Sequence, residues 1–437
     1  MGKAPLEIDR RDFLTSTAGI GMAAPLTLGS PSRSRPAWRK AERMKITGMR
    51  TYRFNVSTGS SSRKKGPRQA IYSSFKTWLF LKIETNTEHS GWGEASIEWL
   101  SPVVEATLQG WEELLIDRDP LDVVAICDDI TDRLPWKGGP VLGSAIAAIN
   151  MALYDIAGKA WGVPVYQILG GKKRDRVRVY NGGINFESVD QARSQARAAV
   201  ASGARGLKGN PLESRTWPMD QQALEHCVEV VAAVRDEVGP HVDLMLDTHG
   251  SPTPALAITF ARALEPYRPL FLEEPCKVGS VAALQEISAR SPVPIATGEK
   301  LFSFGEFKEI IDRRACAFLQ PDLSHSFGIS TFLAIARLAE EAQMLMAPHN
   351  ASGPVHFAAL LQADATISNF LIQEAWNLES FDTYVDPGFR LDGGHINLED
   401  RPGLGIEVKE ADIAKLPKDQ SMSYRQYRHE DGSWKGW

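Results

Sequence analysis

Three acidic residues recur at a regular interval in the middle of the chain, each at the end of a short apolar segment. Asp247, Glu273 and Glu299 are 26 residues apart at each step. Neighbouring strands of a sheet are about 5 Å apart, so carboxylates at the ends of three adjacent strands can ligate one hard divalent cation. A separate salt bridge for each carboxylate is the alternative. Because three clustered carboxylates repel one another without a cation, the spacing favours a metal site.

Two histidines accompany this acidic group. His249 follows Asp247 by two residues and, if the strand continues, points to the same side of it. His349 ends a later apolar segment, and Asp322 ends the segment before that one. A carboxylate beside an imidazole orients the ring and raises its basicity. We therefore expect His349 and Asp322 to form a general base, with a structural histidine as the alternative.

Three further polar residues end other apolar segments. The ammonium group of Lys208 could neutralise a substrate carboxylate, and the amide of Asn210 could donate a hydrogen bond to it. Glu374 could be a protonated carboxyl group that donates a hydrogen bond to an enolate oxygen. Ordinary salt bridges to neighbouring helices are the alternative for Lys208 and Glu374.

Eight apolar segments, which alternate with helical patterns, must position these residues. Their polar ends recur about every 25 residues, a length that fits one strand and one crossover helix. Eight such units close a parallel barrel that places all strand C-terminal ends on one face. An open doubly wound sheet would carry a glycine-rich phosphate turn after its first strand, and this sequence has none there. The segments are VRVYNGG, GLKGN, VDLMLDTHG, LFLEEP, VPIATGEK, AFLQPDLSH, MLMAPHN and FLIQEA.

The regions on either side of the barrel pattern have a different character. Strand-like alternation starts at Met44 and is followed by helical patterns, which predicts an α+β domain. We expect this capping domain over residues 44–165 and the barrel over residues 166–376. Residues 377–437 contain turn signals and short strand patterns, and we expect them to pack on the capping domain.

Composition narrows the function classes. The chain has 437 residues, is 43% hydrophobic and carries a net charge of −5, as expected for a globular protein whose main partner is neither a nucleic acid nor an anionic membrane. It has no stretch of 18 apolar residues, so we expect no membrane-spanning helix. Its four cysteines are dispersed without a CxxC pair, which indicates buried free thiols.

The first 43 residues are unlike the rest of the chain. Arg10 and Arg11 precede Phe-Leu and a mildly apolar segment, an arrangement similar to a bacterial twin-arginine export signal. We expect export to the periplasm; an unstructured tail on a cytoplasmic protein is the alternative. In either case residues 1–43 are expected to lie outside the folded domains.

The motifs around the polar residues resemble those of the enolase superfamily, in its mandelate racemase and muconate lactonizing branch. The resemblance implies a modified TIM barrel, (β/α)7β, with an α+β enolase-type cap. It implies that Asp247, Glu273 and Glu299 bind Mg²⁺, which holds the carboxylate of an acid substrate. A base, here His349 with Asp322, then removes the proton α to that carboxylate. The matching motifs are GWGE, LDTHG, FLEEP, TGEK, QPDLSH, APHNASGP, QEAW and RPGLGIEV.

Within this branch the sequence is most similar to acid-sugar dehydratases of the galactonate type. These share Asp-x-His on the third barrel strand, which implies that His249 is the general acid for the departing 3-hydroxyl group. β-Elimination needs this second proton source, and a site with a base alone lacks it. The resemblance thus implies dehydration of a galactonate-like aldonate to a 2-keto-3-deoxy acid, with Glu374 stabilising the enolate.

Two alternatives remain open. The first is a racemase or epimerase of a related hydroxy acid. Racemases of this branch carry Lys-x-Lys on the second strand, where Asn210 replaces the second lysine, and other relatives carry a sixth-strand lysine, where this chain has Asp322. The second alternative is a non-catalytic homologue that binds a sugar acid, which the complete set of polar residues disfavours.

The resemblance also bears on partners and specificity. We expect a small-molecule acid-sugar substrate and a homo-oligomer. Loops of the cap lie over the pocket in this family. We therefore expect the basic residues Arg63, Lys64 and Lys65, together with the segment 136–139, to overhang the barrel mouth.

Overall fold

The computed structural model describes residues 43–57, 75–186, 188–212, 221–376 and 378–417. The predicted export signal, except Arg43, and the basic residues 63–65 lie outside these residues, so their predictions stay untested. From Met44 onward the described residues belong to one unit, and the architecture below is that of this unit.

The capping domain begins with an antiparallel sheet of three strands in the order β1-β2-β3. Trp78, Leu79, Phe80 and Leu81 are all buried, so β2 is covered on both faces. A sheet with two apolar faces needs a layer on each side. Helices supply one layer and the C-terminal segment supplies the other. The strands are β1 (Ile46–Ser57), β2 (Phe75–Thr85) and β3 (Ser90–Glu94).

Helices cover one face of this sheet, and the long helix α4 makes the closest approach. A Cβ atom on Gly91 would lie 2.0 Å from the carbonyl oxygen of Ala152, and one on Gly93 would lie 1.9 Å from that of Ala148. The two glycines therefore let β3 lie directly against α4. The helices are α1 (Ser101–Gly110), α2 (Glu112–Leu115), α3 (Val123–Arg133) and α4 (Pro140–Trp161).

Among the residues that the structure describes, α4 alone is long and apolar enough to cross a membrane by length and composition. However, 89% of its most apolar window is buried inside the fold. The sequence criterion, an unbroken apolar run, did not detect α4 because polar residues such as Asn150 and Asp155 interrupt it.

The barrel contains eight parallel strands, in agreement with the predicted (β/α)7β fold. After the short helix α5 (Val165–Ile168), the strand order is β10-β9-β8-β7-β6-β5-β4, and β11 pairs with β4. A hydrogen bond of 2.8 Å from the Leu371 amide to the Met346 carbonyl closes the barrel. The strands are β4 (Arg176–Ile184), β5 (Gly206–Gly209), β6 (Asp243–Asp247), β7 (Phe271–Glu273), β8 (Ile295–Thr297), β9 (Phe318–Leu319), β10 (Leu345–Met346) and β11 (Gln373–Ala375).

Seven helices connect the barrel strands, and a separate apolar cluster fills the barrel. The cluster includes Tyr180, Met245 and Phe271, which point inward from β4, β6 and β7. This packed interior confines any ligand to the C-terminal mouth of the strands. The helices are α6 (Val189–Ala201), α7 (Gln221–Val238), α8 (Pro254–Leu264), α9 (Val281–Arg290), α10 (Phe304–Asp312), α11 (Ile329–Glu341) and α12 (Pro354–Asp364).

The described part of the C-terminal segment contacts both the cap and the barrel. The rings of Tyr384 and Trp78 are 5.0 Å apart, and Glu410 accepts a 2.7 Å hydrogen bond from Lys82 in β2. On the barrel side, β14 pairs antiparallel with β4, a contact that the sequence did not predict. Its elements are β12 (Val385–Asp386), β13 (Leu391–Asp392), β14 (His395–Asn397), β15 (Glu407–Val408) and α13 (Glu410–Ile413).

The four cysteines are buried and form no disulfide, as the prediction of buried free thiols implies: Cys127, Cys227, Cys276 and Cys316. Burial raises the pKa of Cys127 to about 12 and that of Cys276 to about 11. These thiols are therefore packing residues and not nucleophiles.

Candidate active site

The three acidic residues meet at the C-terminal mouth of the barrel. Asp247 ends β6, Glu273 ends β7, and Glu299 follows β8 by two residues. One carboxylate oxygen from each lies within 4.8 Å of the others. Burial and the nearby Asp247 hold the pKa of Glu273 well above its usual range. Carboxylate oxygens are hard donors, and three that lie this close together repel one another. The cluster therefore fits a divalent cation such as Mg²⁺.

Lys208 supplies positive charge beneath the three carboxylates. Its ammonium nitrogen lies 3.0 Å from both oxygens of Glu273, 2.9 Å from Glu374 and 3.7 Å from Asp247. Burial alone would lower the pKa of Lys208, but Glu273 and Glu374 raise it well above its usual value. Lys208 is therefore charged, and the structure pairs it with carboxylates of the protein. Its predicted contact with a substrate carboxylate stays a prediction.

The structure brings His349 and Asp322 together at one edge of the carboxylate cluster. The Nδ1 atom of His349 is 2.7 Å from Oδ2 of Asp322, and its Nε2 atom is 3.4 Å from Glu299. The buried carboxylate of Asp322 also accepts hydrogen bonds from the backbone and hydroxyl of Ser324. Burial alone would lower the pKa of His349, but Glu299 and Asp322 raise it to about 10. A bound cation would offset the contribution of Glu299.

His249 lies at the opposite edge of the cluster, but it is not on a strand as the sequence analysis assumed. β6 ends at Asp247, and His249 has a left-handed backbone with φ 46°. The Asp247 carboxylate stabilises this turn by accepting a 2.9 Å hydrogen bond from the His249 amide. The same carboxylate lies 2.9 Å from Nε2 of the ring. The side chain therefore reaches the cluster by way of a turn.

Asn210 contacts His249. Its Nδ2 atom lies 3.0 Å from Nδ1 of His249, and its Oδ1 atom accepts a 2.8 Å hydrogen bond from the Leu212 amide. The Leu212 contact fixes the orientation of the amide, so Nδ2 faces Nδ1 of His249 and donates to it when the ring is neutral. Proximity to Asp247 raises the pKa of His249 to about 9 against the effect of burial. A hydrogen bond from Asn210 to substrate stays a prediction.

Glu374 connects the two sides of the site. One oxygen accepts a hydrogen bond from Lys208, and the other accepts one of 3.2 Å from the Asn350 amide. The second oxygen is also 3.9 Å from Nε2 of His349. These contacts place Glu374 beside the reacting region, while its predicted role as a proton donor is not tested by them.

Two charged residues next to the predicted ligands were not assigned a place in the sequence analysis. Glu274 is buried with a left-handed φ of 44°, and it forms an ion pair with Lys300. The Lys300 ammonium also lies 3.3 Å from Glu299. The doubled acid in FLEEP and the Glu-Lys pair in TGEK were the available signals.

The described lid segment at 136–139 includes the 84% exposed Trp136, and no contact tests its predicted position over the mouth.

Two family models match the chain. Residues 58–170 match the N-terminal domain of the mandelate racemase and muconate lactonizing enzymes. Residues 191–412 match the enolase C-terminal domain-like family. Together these models cover most of the cap and most of the barrel.

Individual relatives match over most of the chain. It is 38% identical over 405 residues to the D-galactonate dehydratase of Variovorax paradoxus, covering 90% of this chain and all of that protein. It is 36% identical over 408 residues to the D-galactonate dehydratase of Ralstonia nicotianae, with the same coverage. A solved structure of a mandelate racemase/muconate lactonizing enzyme-like protein from Roseovarius superposes with a TM-score of 0.76 at 28% identity, covering 86% of this chain and 96% of that one.

The cap, the closed barrel and the acidic cluster at its mouth agree with these matches. The two curated relatives described above, which span most of this chain at more than 30% identity, are dehydratases. The chain therefore belongs to the mandelate racemase and muconate lactonizing enzyme family of the enolase superfamily, and it is an enzyme of the carbon–oxygen lyase class.

Proposed function

We propose that the protein is a magnesium-dependent dehydratase of a galactonate-like aldonate. One observation carries the proposal: two histidines with separate partners lie at opposite edges of one carboxylate cluster. His349 is held by Asp322, and His249 is held by Asp247 and Asn210. Dehydration needs a second acid that protonates the departing hydroxyl group, and a separately held histidine can supply it. The names of the relatives supply the substrate class.

The cluster of Asp247, Glu273 and Glu299 would hold the metal. When bound, Mg²⁺ supplies a positive charge that anchors the substrate carboxylate and favours loss of the neighbouring proton. The Lys208 ammonium is 2.9 Å from Glu374, and it balances the remaining negative charge at the base of the site.

His349 removes the proton at C2 in this proposal. Its Nδ1 atom is bound to Asp322, so Nε2 is the nitrogen that faces the cluster. The electron pair of the broken C2–H bond first moves into the substrate carboxylate and gives an enediolate. In a second step this pair forms the C2–C3 double bond as the C3–O bond breaks. The 3-hydroxyl group departs with a proton from His249, so the products are water and an enol. The enol then tautomerises to the 2-keto-3-deoxy acid.

A racemase or epimerase is the second candidate, since C2 proton removal is common to both reactions. Asn210 is the observation against it: a neutral amide stands where racemases of this branch carry a second-strand lysine base. A homologue that binds an acid sugar without turnover is the third candidate.

A substrate screen tests the proposal. The purified protein is incubated with Mg²⁺ and a library of acid sugars that includes D-galactonate, and 2-keto product is measured. We expect at least one aldonate to yield a 2-keto-3-deoxy acid, with activity lost on chelation and restored by Mg²⁺. Deuterium from solvent at C2 of recovered substrate without keto product would indicate the epimerase. Binding without either reaction would indicate the non-catalytic homologue.

A further inference from the structure

A carboxylate from the cap binds the start of a barrel helix close to His349. Glu94 ends β3 and is completely buried. Its Oε1 atom accepts a 2.6 Å hydrogen bond from the Gly353 amide, and its Oε2 atom accepts one of 3.0 Å from the His356 amide. The hydroxyl of Ser96 also donates to Oε1, at 2.5 Å. The two backbone amides are about 260 residues from Glu94 in the chain, so these two hydrogen bonds are long-range contacts.

The two amides belong to the first turn of α12. Gly353 is the N-cap of this helix and has no side chain, so α12 does not cap itself. Amides in the first turn of a helix have no partner within the helix, and the positive end of the helix dipole favours a negative charge there. Glu94, a residue of the cap domain, therefore supplies the capping side chain that Gly353 lacks.

Gly353 is shaped for this approach. A Cβ atom at this position would lie 2.7 Å from Oε1 of Glu94 and 2.9 Å from the Trp78 side chain. The φ of Gly353 is −96°, which any residue can adopt, so its backbone conformation does not require glycine. Glycine is required here because Glu94 and Trp78 leave no room for a Cβ atom.

The first turn of α12 contacts two residues next to the proposed base. His356 lies in this turn, and its Nδ1 atom is 3.1 Å from Oδ1 of Asn350, the residue after His349. The Nε2 atom of His356 is 3.4 Å from Oδ1 of Asp322, whose other oxygen is bound to His349. The capped turn thus supports both the loop that carries His349 and the carboxylate that orients it.

We propose that Glu94 is a positioning residue for the catalytic base: by capping α12 from the cap domain, it holds the His349 loop and Asp322 in register. This inference rests on the proposed function in so far as His349 is the base. It explains why a cap carboxylate is completely buried against the barrel. It also makes proton abstraction depend on docking of the cap. Among the described hydrogen bonds of Glu94, none involves the strand-end carboxylates of β6 and β7.

The chain offers a matched control in Asp155. This carboxylate of α4 is also buried, and it accepts hydrogen bonds of 2.9 Å from the amides of Trp92 and Leu404. It joins β3 to the C-terminal segment and makes no contact with α12 or His349 among its described hydrogen bonds. Asp155→Asn therefore reports the cost of losing a buried carboxylate clamp without a link to the base.

The test compares Glu94→Gln with Asp155→Asn in the full-length protein. Glutamine has an NH₂ group in place of one carboxylate oxygen, so it cannot accept a hydrogen bond at both of the positions that bind Gly353 and His356. We expect Glu94→Gln to slow exchange of the substrate C2 proton by roughly tenfold or more with little change in KM, because a small displacement of the base is costly. Asp155→Asn should lower the melting temperature and leave the exchange rate within about twofold of wild type, since it does not displace the base. Equal exchange rates in Glu94→Gln and wild type would overturn the proposal, as would equal losses in both variants.

A second readout does not depend on turnover. Amide hydrogen exchange at Gly353, Val355 and His356 should be faster in Glu94→Gln than in wild type and unchanged in Asp155→Asn. If wild type reacts with no acid sugar, the proposed function fails while this comparison still tests the capping contact. If Glu94→Gln does not fold, Ser96→Ala is the second variant: it keeps the carboxylate and removes the hydroxyl that donates to it, together with the 3.0 Å hydrogen bond that this hydroxyl accepts from the Leu79 amide. That variant should show faster amide exchange at the same positions, and wild-type exchange there would count against the inference.

Discussion

At the residue scale, a shared position at strand ends made the site predictable. Asp247, Glu273 and Asp322 could be placed from the sequence because each follows an apolar strand whose C-terminal end must lie at the barrel mouth. The contacts of Asn210 could not be placed this way. Its hydrogen bond to His249 depends on a left-handed turn after β6, and strand periodicity does not encode that turn.

Contacts between the two domains could not be predicted from the sequence either. Glu94 was visible within the GWGE motif, but no local pattern connects it to Gly353 or His356. Such a partner is defined only by how the cap docks on the barrel. The sequence Gly353-Pro354 indicates that a helix starts there, but it does not show which side chain caps that helix.

Glu94 gives a prediction about pH and stability. Burial raises the pKa of Glu94 from 4.5 to about 7 despite its three hydrogen bonds. The folded state then binds the proton more tightly than the unfolded state, so this contribution to stability is complete below pH 4.5 and is lost as pH rises to about 7. The destabilisation caused by Glu94→Gln should therefore shrink between pH 4.5 and pH 8, by about 3 kcal/mol at most.

Denaturant unfolding of wild type and Glu94→Gln at several pH values measures this difference. The subtraction removes the other titrating groups that the two proteins share. A difference in the free energy of unfolding that stays constant, or that grows with pH, would show that Glu94 is not held with a raised pKa.

At the element scale, the repeat of strand and helix was sufficient to predict the barrel, because parallel strands require a crossover of nearly constant length. The lengths of the strands were less predictable: β9 and β10 have only two residues each, although their apolar segments are longer. The pairing of β14 with β4 was missed because a three-residue strand after two glycines carries little alternation.

The contact between β3 and α4 gives a prediction about packing. Gly93→Ala would place a Cβ atom 1.9 Å from the carbonyl oxygen of Ala148, so strand and helix must separate. We expect a loss of about 1–3 kcal/mol in the free energy of unfolding, as for other overpacked cores. Denaturant unfolding measures it.

Gly110→Ala is the matched control for this prediction. A Cβ atom at Gly110, the last residue of α1, would meet no other atom within 4 Å. This variant should unfold at the same denaturant concentration as wild type or at a slightly higher one. Similar behaviour of the two variants would mean that the close contact of β3 with α4 is not what Gly93 serves.

At the scale of the whole molecule, the dispersed cysteines correctly indicated buried thiols, but composition said little about the arrangement of the domains. The C-terminal segment contacts the cap through Tyr384 and Glu410 and the barrel through β14. It therefore holds the two parts of the fold together. These contacts join residues that are far apart in sequence. Hydrophobic periodicity, which reports only local structure, therefore did not predict this role.

The chain also carries the sequence features of an export signal, and we propose that it is exported. Replacing Arg10 and Arg11 by lysine should abolish periplasmic accumulation, because a twin-arginine signal depends on that pair. Replacing Arg33 and Arg35 by lysine is the control and should leave export unchanged. Fractionation of cells that express each variant measures the outcome. Equal cytoplasmic retention of wild type and both variants would contradict the proposal.

The central claim is that two histidines divide the reaction between them, and solvent exchange at C2 separates their roles most directly. His349→Asn and His249→Asn are incubated in deuterated buffer with an acid sugar that the wild type converts, and His395→Asn, at a half-buried position of β14, is the control. His349→Asn should lose both elimination and C2 exchange, and His249→Asn should lose elimination while it retains exchange. Each loss should be at least about 10²-fold, the usual scale for a positioned acid or base. Near-normal turnover by His349→Asn, or full elimination by His249→Asn, would contradict the account.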